Sequence, residues 1–234
     1  MLVGEPGIGK TRISEELAAR AEQLGAQVLW GRCYEQPGMP AYWPWVQVIQ
    51  SYIQGKTPDQ LHAGLGSWTA EIAEIIPEVR GKFSTLEPSS TLEPEQARFR
   101  LFDSITSFLK NASQRQPLVL VLDNLHWMDK ASLLLLEFLG RSLESCSLMV
   151  LGTYRDVGLS RRHPLSEALG ELTRERFFHT IPLKGLGVEE VRHFIQNTAG
   201  IAPSKEFVEA ILSHTEGNPL FVTEVMRMLT QEGA

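Results

Sequence analysis

Residues 4–11 of the chain read Gly4-Glu5-Pro6-Gly7-Ile8-Gly9-Lys10-Thr11 and match the pattern G-x-x-x-x-G-K-[ST]. Glycines at these positions let the backbone curl, so that successive N–H groups point towards one centre and can bind phosphate oxygens. The pattern predicts that Lys10 reaches the β- and γ-phosphates of a nucleotide and that the Thr11 hydroxyl ligates Mg²⁺. We therefore predict a nucleotide-binding loop over Gly4–Thr11.

The residues after this loop predict a helix. Apolar residues recur at helical spacing, at Ile13, Leu17, Ala21 and Leu24. Gly25 follows them and is a typical helix end. The unpaired N–H groups and the dipole at a helix N-terminus favour negative charge, which agrees with phosphate binding by the loop. We include Arg12, at the start of this helix, among the nucleotide-binding residues.

The composition is that of a globular protein without a strong electrostatic bias. The 234 residues include 22 Lys and Arg against 28 Asp and Glu, which gives a net charge of -6, and 43% are hydrophobic. A nucleic-acid-binding surface normally carries a clustered basic excess, so we expect no direct nucleic-acid binding. At about 100–200 residues per domain, the length allows one large domain or one domain with a small companion.

Three features of the sequence bear on location. The longest apolar runs, Leu118–Leu122 and Leu133–Leu136, are far shorter than the roughly 18 residues of a membrane span. The start of the chain carries neither a basic segment nor an apolar signal region. Two cysteines, Cys33 and Cys146, are too few for a disulfide framework. We expect a cytoplasmic protein without membrane contact.

A charged residue, Asp123, follows a continuous apolar run. The run is Pro117-Leu118-Val119-Leu120-Val121-Leu122-Asp123, and its pattern is typical of a strand buried on both faces of a parallel sheet. An aspartate at the carboxyl end of such a strand lies where α/β proteins bind ligands. We therefore predict that Asp123 holds Mg²⁺ from the side opposite Thr11. The alternative is an ordinary strand that ends in a turn.

The next residue bears on catalysis. Nucleotide hydrolases of this layout often place a second acid there, to orient or deprotonate the attacking water, but this chain has Asn124. A neutral amide orients water by hydrogen bonds and does not take its proton, and loss of a general base costs on the order of 10²–10⁴ in rate. Asp129 and His126 are nearby alternatives. Asp129 is better explained as the N-cap of a helix over Lys130–Leu143, and His126 as a turn residue.

Further strands are predicted at Val28–Trp30, Leu148–Thr153 and Phe177–Ile181. Strands that alternate with helical patterns predict an α/β fold, in which a parallel sheet is flanked by helices. Arg155 follows one of these strands, so we expect it at the ligand-bearing edge of the sheet. There it would form a charge-assisted hydrogen bond with the γ-phosphate. The alternative is a surface arginine.

These residues together resemble the nucleotide-binding region of STAND-class P-loop ATPases, a signalling branch related to the AAA+ proteins. The matching stretches are Gly4–Thr11, Leu118–Asp129, Thr153–Arg155 and Gly217-Asn218-Pro219-Leu220-Phe221. Two more stretches look like the subgroup found in large bacterial regulators, Gly31-Arg32-Cys33-Tyr34 and Tyr42-Trp43-Pro44-Trp45. In those regulators an ATPase core is joined to a LuxR-type DNA-binding domain, a class III adenylyl cyclase or a protein kinase.

The resemblance implies a P-loop NTPase fold with a small C-terminal helical lid, and ATP and Mg²⁺ as cofactors. In the family, the proline of a Gly-x-Pro motif in the lid touches the adenine, which maps to Pro219. The implied partners are ATP, ADP, and sensor and output domains in a longer polypeptide, with ATP-dependent self-association as a further hypothesis. The family usually has two acids where this chain has Asp123 and Asn124. The resemblance therefore implies ATP binding more directly than it implies ATP hydrolysis.

We divide the chain into a P-loop nucleotide-binding domain over residues 1–182 and a helical lid over residues 183–234. Three helical stretches predict the lid, Val188–Thr198, Ser204–His214 and Asn218–Gln231. A Pro- and Ser-rich stretch over residues 84–94 predicts a surface loop. Strands commonly run about 5–6 residues, but only Met1–Val3 precede the phosphate loop. We therefore expect a truncated first strand, in a fragment of a larger protein.

Two functional hypotheses follow. The first is a regulatory ATPase that binds Mg·ATP, changes its lid angle between the ATP and ADP states, and hydrolyses ATP slowly to reset an output domain. The second is a nucleotide-binding interaction module that does not hydrolyse ATP. A small-molecule kinase is a weaker hypothesis, because no acceptor-binding segment is evident.

Overall fold

The centre of the fold is a parallel sheet. A computed structural model describes residues 1–36, 38–57, 61, 69–76, 79, 93–144, 146–156, 158–200 and 202–231. Within these ranges the strands are β1 (Leu2–Val3), β2 (Gln27–Arg32), β3 (Leu118–Asp123), β4 (Leu148–Tyr154) and β5 (Ile181–Pro182). They form a five-stranded sheet in the order β2-β3-β4-β1-β5, and every pairing is parallel. The prediction of a parallel α/β sheet is confirmed.

Helices surround this sheet and continue beyond it. Those described up to β5 are α1 (Lys10–Gln23), α2 (Trp43–Ile53), α3 (Thr69–Ile75), α4 (Pro94–Arg115), α5 (Lys130–Gly140) and α6 (Pro164–Leu172). After β5 come α7 (Val188–Ala199), α8 (Lys205–Thr215) and α9 (Pro219–Gln231). A short 3-10 turn, Leu125–Trp127, follows β3. No described helix combines the length and apolar character that crossing a membrane requires.

The side chains of β3 alternate between two apolar clusters. The even-numbered residues from Leu118 to Leu122 belong to the larger cluster, which also contains side chains of α2, α4, α5 and α6. Val119 and Val121 belong to a smaller cluster with side chains of α1. All residues of the strand are buried, including Asp123 at its end. The prediction of a strand buried on both faces is therefore confirmed.

The buried face of α1 differs from the predicted apolar stripe. Ser14 and Ala18 are buried, one and two turns after the buried Lys10, whereas Ile13 and Leu24 are 41% and 71% exposed. Small side chains on the inner face let the helix backbone lie close to the sheet. The predicted apolar stripe therefore does not match the buried face at Ile13 and Leu24. The helix face that packs against the sheet requires small side chains, and hydrophobicity alone does not identify it.

Two predicted boundaries were also wrong. Helix α5 ends at Gly140 rather than Leu143, because the Ser142 N–H donates to the Leu139 carbonyl and tightens the last turn. Strand β5 begins at Ile181, whose N–H donates to the Met1 carbonyl at 2.8 Å. Residues 177–180, predicted as strand, lie outside that pairing. The predicted loop over residues 84–94 lies outside the described residues, except for its last two, which lead into α4.

The last three helices share an apolar cluster of their own. Its buried members are Val191, Ile195, Val208, Ile211, Val222 and Met226. Helix α8 begins directly after Ser204, the first residue of the predicted stretch, and the Ser204 hydroxyl oxygen caps it by accepting the Phe207 N–H at 3.2 Å. The helical pattern predicted after residue 183 is thus confirmed, with bounds that differ by at most one residue.

Candidate functional site

The loop between β1 and α1 has the backbone that its glycines predict. Gly7 and Gly9 have φ angles of 80° and 101°, values that glycine adopts at no steric cost. Gly9 directly precedes Lys10, the first residue of α1. The loop therefore connects the carboxyl end of a central strand to a helix N-terminus, whose first N–H groups have no partner within the helix.

The Lys10 side chain is folded into the loop. It is 7% exposed, and its ammonium donates to the carbonyl oxygens of Gly4 and Glu5, each at 2.7 Å. Burial lowers the pKa of Lys10, and the Arg155 cation lowers it further, against opposing effects of Asp156 and Asp123. The loop thus holds a buried cation that is destabilised by its surroundings and would be favoured by an added anion.

Asp123 and Thr11 meet across the site, as predicted. The Thr11 hydroxyl donates to Asp123 Oδ2 at 3.3 Å, although the two residues lie on α1 and at the end of β3. The other carboxylate oxygen, Oδ1, accepts a hydrogen bond from the Thr153 hydroxyl at 2.5 Å. Asp123 is 4% exposed, so these two hydroxyls orient a carboxylate that is largely shielded from water.

Asn124 is oriented by the same threonine. Its backbone N–H donates to Thr153 Oγ1 at 3.0 Å, and its φ angle of 62° is left-handed, a conformation that asparagine tolerates better than most residues. Asn124 directly follows Asp123, the last residue of β3.

Arg155 directly follows β4, next to the loop. Its charge lowers the pKa of both Lys10 and His126, and the pairing of Tyr154 with Val3 places Arg155 beside the start of the loop. Within the described residues, no hydrogen bond or ion pair involves its side chain, and the side chain is partly buried. A partly buried guanidinium without a carboxylate partner is suited to an anionic ligand.

His126 and Asp129, the two alternatives for the missing acid, differ in their contacts. Asp129 Oδ1 accepts the Ser132 N–H at 3.0 Å and its Oδ2 accepts the Ser132 hydroxyl at 2.5 Å. The prediction of a helix N-cap is therefore confirmed for Asp129. His126 lies in the 3-10 turn, and both of its ring nitrogens are buried without a hydrogen-bond partner among the described residues.

The start of α9 lies on the phosphate loop. The Asn218 side chain donates from Nδ2 to the Pro6 carbonyl at 2.9 Å and accepts the Leu220 N–H on Oδ1 at 3.1 Å. The Leu220 N–H also lies 3.3 Å from the Gly7 carbonyl oxygen. A Cβ atom on Gly7 would approach the Leu220 Cβ to 2.7 Å. A glycine is therefore required here by the close approach of α9 as well as by its φ angle.

The remaining predicted binding residues have different surroundings. Pro219 is partly buried at the first position of α9, next to the contact between Asn218 and the loop. Ile8 is buried and Glu5 is exposed. Arg12 lies on the solvent side of α1, where it pairs with Glu16. The structure thus brings Arg12 to another surface residue and not to the other predicted site residues.

Two residues of the site were not predicted from sequence. Thr153 bridges Asp123 and Asn124, and Asn218 bridges the loop and α9. The only signals were a hydroxyl residue at the end of a buried strand and an asparagine between Gly217 and Pro219. Neither pattern identifies its partner, because both partners are distant in sequence.

The residues at this edge are suited to magnesium held jointly with a phosphate group. Mg²⁺ is usually bound by one or two protein oxygens together with waters and substrate phosphates. Thr11 Oγ1 and Asp123 Oδ2 are two such oxygens. Among the described residues, no group of three or more His, Cys, Asp or Glu side chains is placed to bind a metal. The two oxygens are therefore suited to a metal ion that a bound phosphate group also ligates.

An apolar cavity of about 550 Å³ lies elsewhere, at the beginning of β4. Its lining includes Met1, Leu148 and Phe177. It contains none of the charged residues described above. The chemistry of the site is therefore concentrated at the opposite edge of the sheet, where β1, β3 and β4 end.

Comparison with known proteins identifies one family. A family model described as "AAA ATPase domain" matches residues 1–151, which include the phosphate loop, β3 and the first four residues of β4. No curated protein matches the chain.

Proposed function

The chain belongs to the AAA ATPase domain family, and from this premise we propose that it is an ATP-binding regulatory switch that hydrolyses ATP slowly. Family membership indicates nucleotide binding. The observation that best supports a magnesium-bound nucleoside triphosphate as the ligand is the presence of Lys10 and Arg155, two poorly compensated cations, beside the paired oxygens of Thr11 and Asp123.

Each site residue then has a chemical role. The backbone N–H groups of Gly4–Thr11 bind the phosphates, and Lys10 exchanges its loop carbonyls for phosphate oxygens, which are stronger acceptors. Thr11 and Asp123 hold Mg²⁺, and Arg155 contacts the γ-phosphate. Pro219 packs against the adenine. Asn124 orients the attacking water.

We infer a switch from the contact between the two parts of the chain. Residues 1–182 form the nucleotide-binding domain and residues 183–234 the lid in this proposal. The Asn218 side chain bonds the Pro6 carbonyl inside the phosphate loop, so a loop that rearranges around phosphate displaces its own lid contact. ATP and ADP would therefore favour different lid positions.

We further propose that this movement is transmitted to sensor and output domains of a STAND-type signalling protein in the cytoplasm, such as a transcription regulator, cyclase or kinase. ATP-dependent self-association is one way to transmit it. The support for this role is the resemblance of the sequence to that class.

A second candidate is a module that binds ATP without hydrolysing it. The observation that favours it is Asn124, whose amide accepts no proton from water. In that case ATP would stabilise one lid position without a reset step.

Phosphate release under single-turnover conditions separates the two candidates. We expect slow release from the wild type and none from Lys10→Ala. Asn124→Asp should raise the rate by about 10-fold or more, since it adds an acid that can take the proton. Aspartate also tolerates the left-handed backbone at this position. Wild-type release equal to that of Lys10→Ala would support the non-hydrolysing module instead.

A further inference from the structure

Strand β4 has a strand partner on only one side for most of its length. On the side of β3, residues 148–152 each have a parallel partner. On the other side, the pairing within the described residues is with β1 and covers only Thr153 and Tyr154. Strand β4 lies in the middle of the sheet, so residues 148–152 form an open edge inside it.

The N–H groups that face this open edge can be identified from the β3 side. The Ser147 carbonyl accepts an N–H of β3 at 2.9 Å. Because backbone groups alternate in direction along a strand, the N–H groups of Met149 and Leu151 also point to β3. The N–H groups of Val150 and Gly152 then point to the open edge. Backbone N–H groups inside a sheet normally have an acceptor.

The apolar cavity of about 550 Å³ lies along this edge. Its lining includes residues 148–151 of β4, residues 177–179, which lead into β5, and Met1. It therefore lies between β4 and the segment before β5, in line with β1, and we call it the β4 slot. Three large apolar side chains of its lining are exposed, Met149, Phe177 and Ile181. Exposed apolar side chains grouped in this way mark an interaction site.

Met1 forms the hydrogen bonds of a paired strand at the end of the slot. Its nitrogen donates to the His179 carbonyl at 2.7 Å, and its carbonyl accepts the Ile181 N–H at 2.8 Å. These two bonds have the pattern of parallel pairing. Burial lowers the pKa of the Met1 amino group, so a neutral amide nitrogen suits this position better than a charged one. A residue joined to the Met1 nitrogen would enter the slot.

The slot fits a peptide strand better than a small apolar ligand. A small ligand would fill the cavity but would offer no row of carbonyl oxygens to the Val150 and Gly152 N–H groups. A strand provides both apolar side chains and these acceptors. Residues 148–152 span roughly 16 Å at about 3.3 Å per residue, which is the length of a strand of about five residues.

We propose that the β4 slot binds one extended apolar segment of about five residues, joined to the Met1 nitrogen and parallel to β4. The segment continues β1, pairs with β4 on one side and with residues 177–179 on the other, and covers the exposed apolar side chains. Because Gly4 directly follows β1, the longer strand also fixes the start of the phosphate loop. This interaction is independent of the proposed ATPase activity.

The first test compares chains that carry different five-residue extensions on Met1. One extension consists of valine and isoleucine, and a second has the same residues with proline at its third and fifth positions. Proline stays apolar but removes the N–H groups that would face β4. A third extension consists of glycine and serine. We expect the valine and isoleucine extension alone to raise the thermal midpoint above that of the unextended chain, by about 5 °C or more.

The second test locates the added strand by amide hydrogen exchange. In the chain with the valine and isoleucine extension, exchange at Val150 and Gly152 should slow by at least about 10-fold. Exchange at Met149 and Leu151 should slow much less, because their N–H groups already pair with β3. These two amides are the matched control within the same strand.

Four results would overturn the proposal. Equal midpoints for the apolar and the proline extension would mean that the slot requires apolar cover and not a strand. Unchanged exchange at Val150 and Gly152 would place the extension elsewhere. Equal protection by the same peptide, added free at equimolar concentration, would assign the slot to a separate chain. Protection in the unextended chain that rises with protein concentration would assign it to a second copy.

Discussion

Thr153 is the residue that organises the proposed metal site. Its hydroxyl donates to Asp123 Oδ1 and accepts the Asn124 N–H, and it is fully buried. One small side chain thereby sets the orientation of the carboxylate and of the residue after it. Residues that orient a metal ligand in this way are usually nearly as sensitive to substitution as the ligand itself.

Replacement of Thr153 by valine keeps the shape and removes both hydrogen bonds. We expect Thr153→Val to weaken Mg·ATP binding by about 10- to 100-fold and to leave ATP binding in EDTA nearly unchanged. Thr153→Ser retains the hydroxyl and is the matched control. Titration calorimetry with and without Mg²⁺ measures the effect. Equal losses under both conditions would mean that Thr153 acts through the fold rather than through the metal.

At the scale of elements, the contact between α9 and the phosphate loop carries the proposed coupling. Asn218 is 4% exposed and satisfies both the Pro6 carbonyl and the Leu220 N–H. These two backbone groups lie on either side of the interface between loop and lid. The position of α9 is therefore tied to the conformation of the loop by one side chain.

Removal of the Asn218 amide should loosen this contact. We expect Asn218→Ala to lower the free energy of unfolding by about 1–3 kcal/mol, since partners of a buried group are left unsatisfied, and to speed hydrogen exchange at the Leu220 amide. Thr223→Ala, which removes an exposed hydroxyl bonded to the Pro219 carbonyl on the same helix, should change neither. Unchanged exchange at Leu220 in Asn218→Ala would show that this bond does not hold the lid.

Sequence patterns predicted elements well where one local signal dominates. The continuous apolar run of β3 and the caps at Asp129 and Ser204 are local signals, and the structure agrees with them. The buried face of α1 could not be predicted from the apolar pattern, because the residues that pack against the sheet are the small Ser14 and Ala18. For the same reason the site was predicted only in part, since Thr153 and Asn218 act on residues far away in sequence.

At the scale of the whole molecule, the described residues include an apolar cluster in each of the two parts that the proposed nucleotide would join. The larger one is built on the sheet and α2, α4, α5 and α6, and a separate one holds α7–α9 together. The phosphate loop contacts the start of α9, one of the helices of the second cluster, through Asn218 and Leu220. A ligand bound between the loop and Pro219 would contact both parts, so nucleotide binding is the event that would couple them.

Calorimetric titration of the wild-type chain with Mg·ATP tests this account most directly. The account predicts saturable binding that weakens in EDTA, falls by at least about 10-fold in Lys10→Ala because a charge-assisted contact is lost, and is unchanged in Arg20→Ala. Arg20 is an exposed residue of α1 that hydrogen-bonds Gln23 and serves as the matched control. Equal affinity in the wild type and in Lys10→Ala, or affinity that does not depend on Mg²⁺, would contradict it.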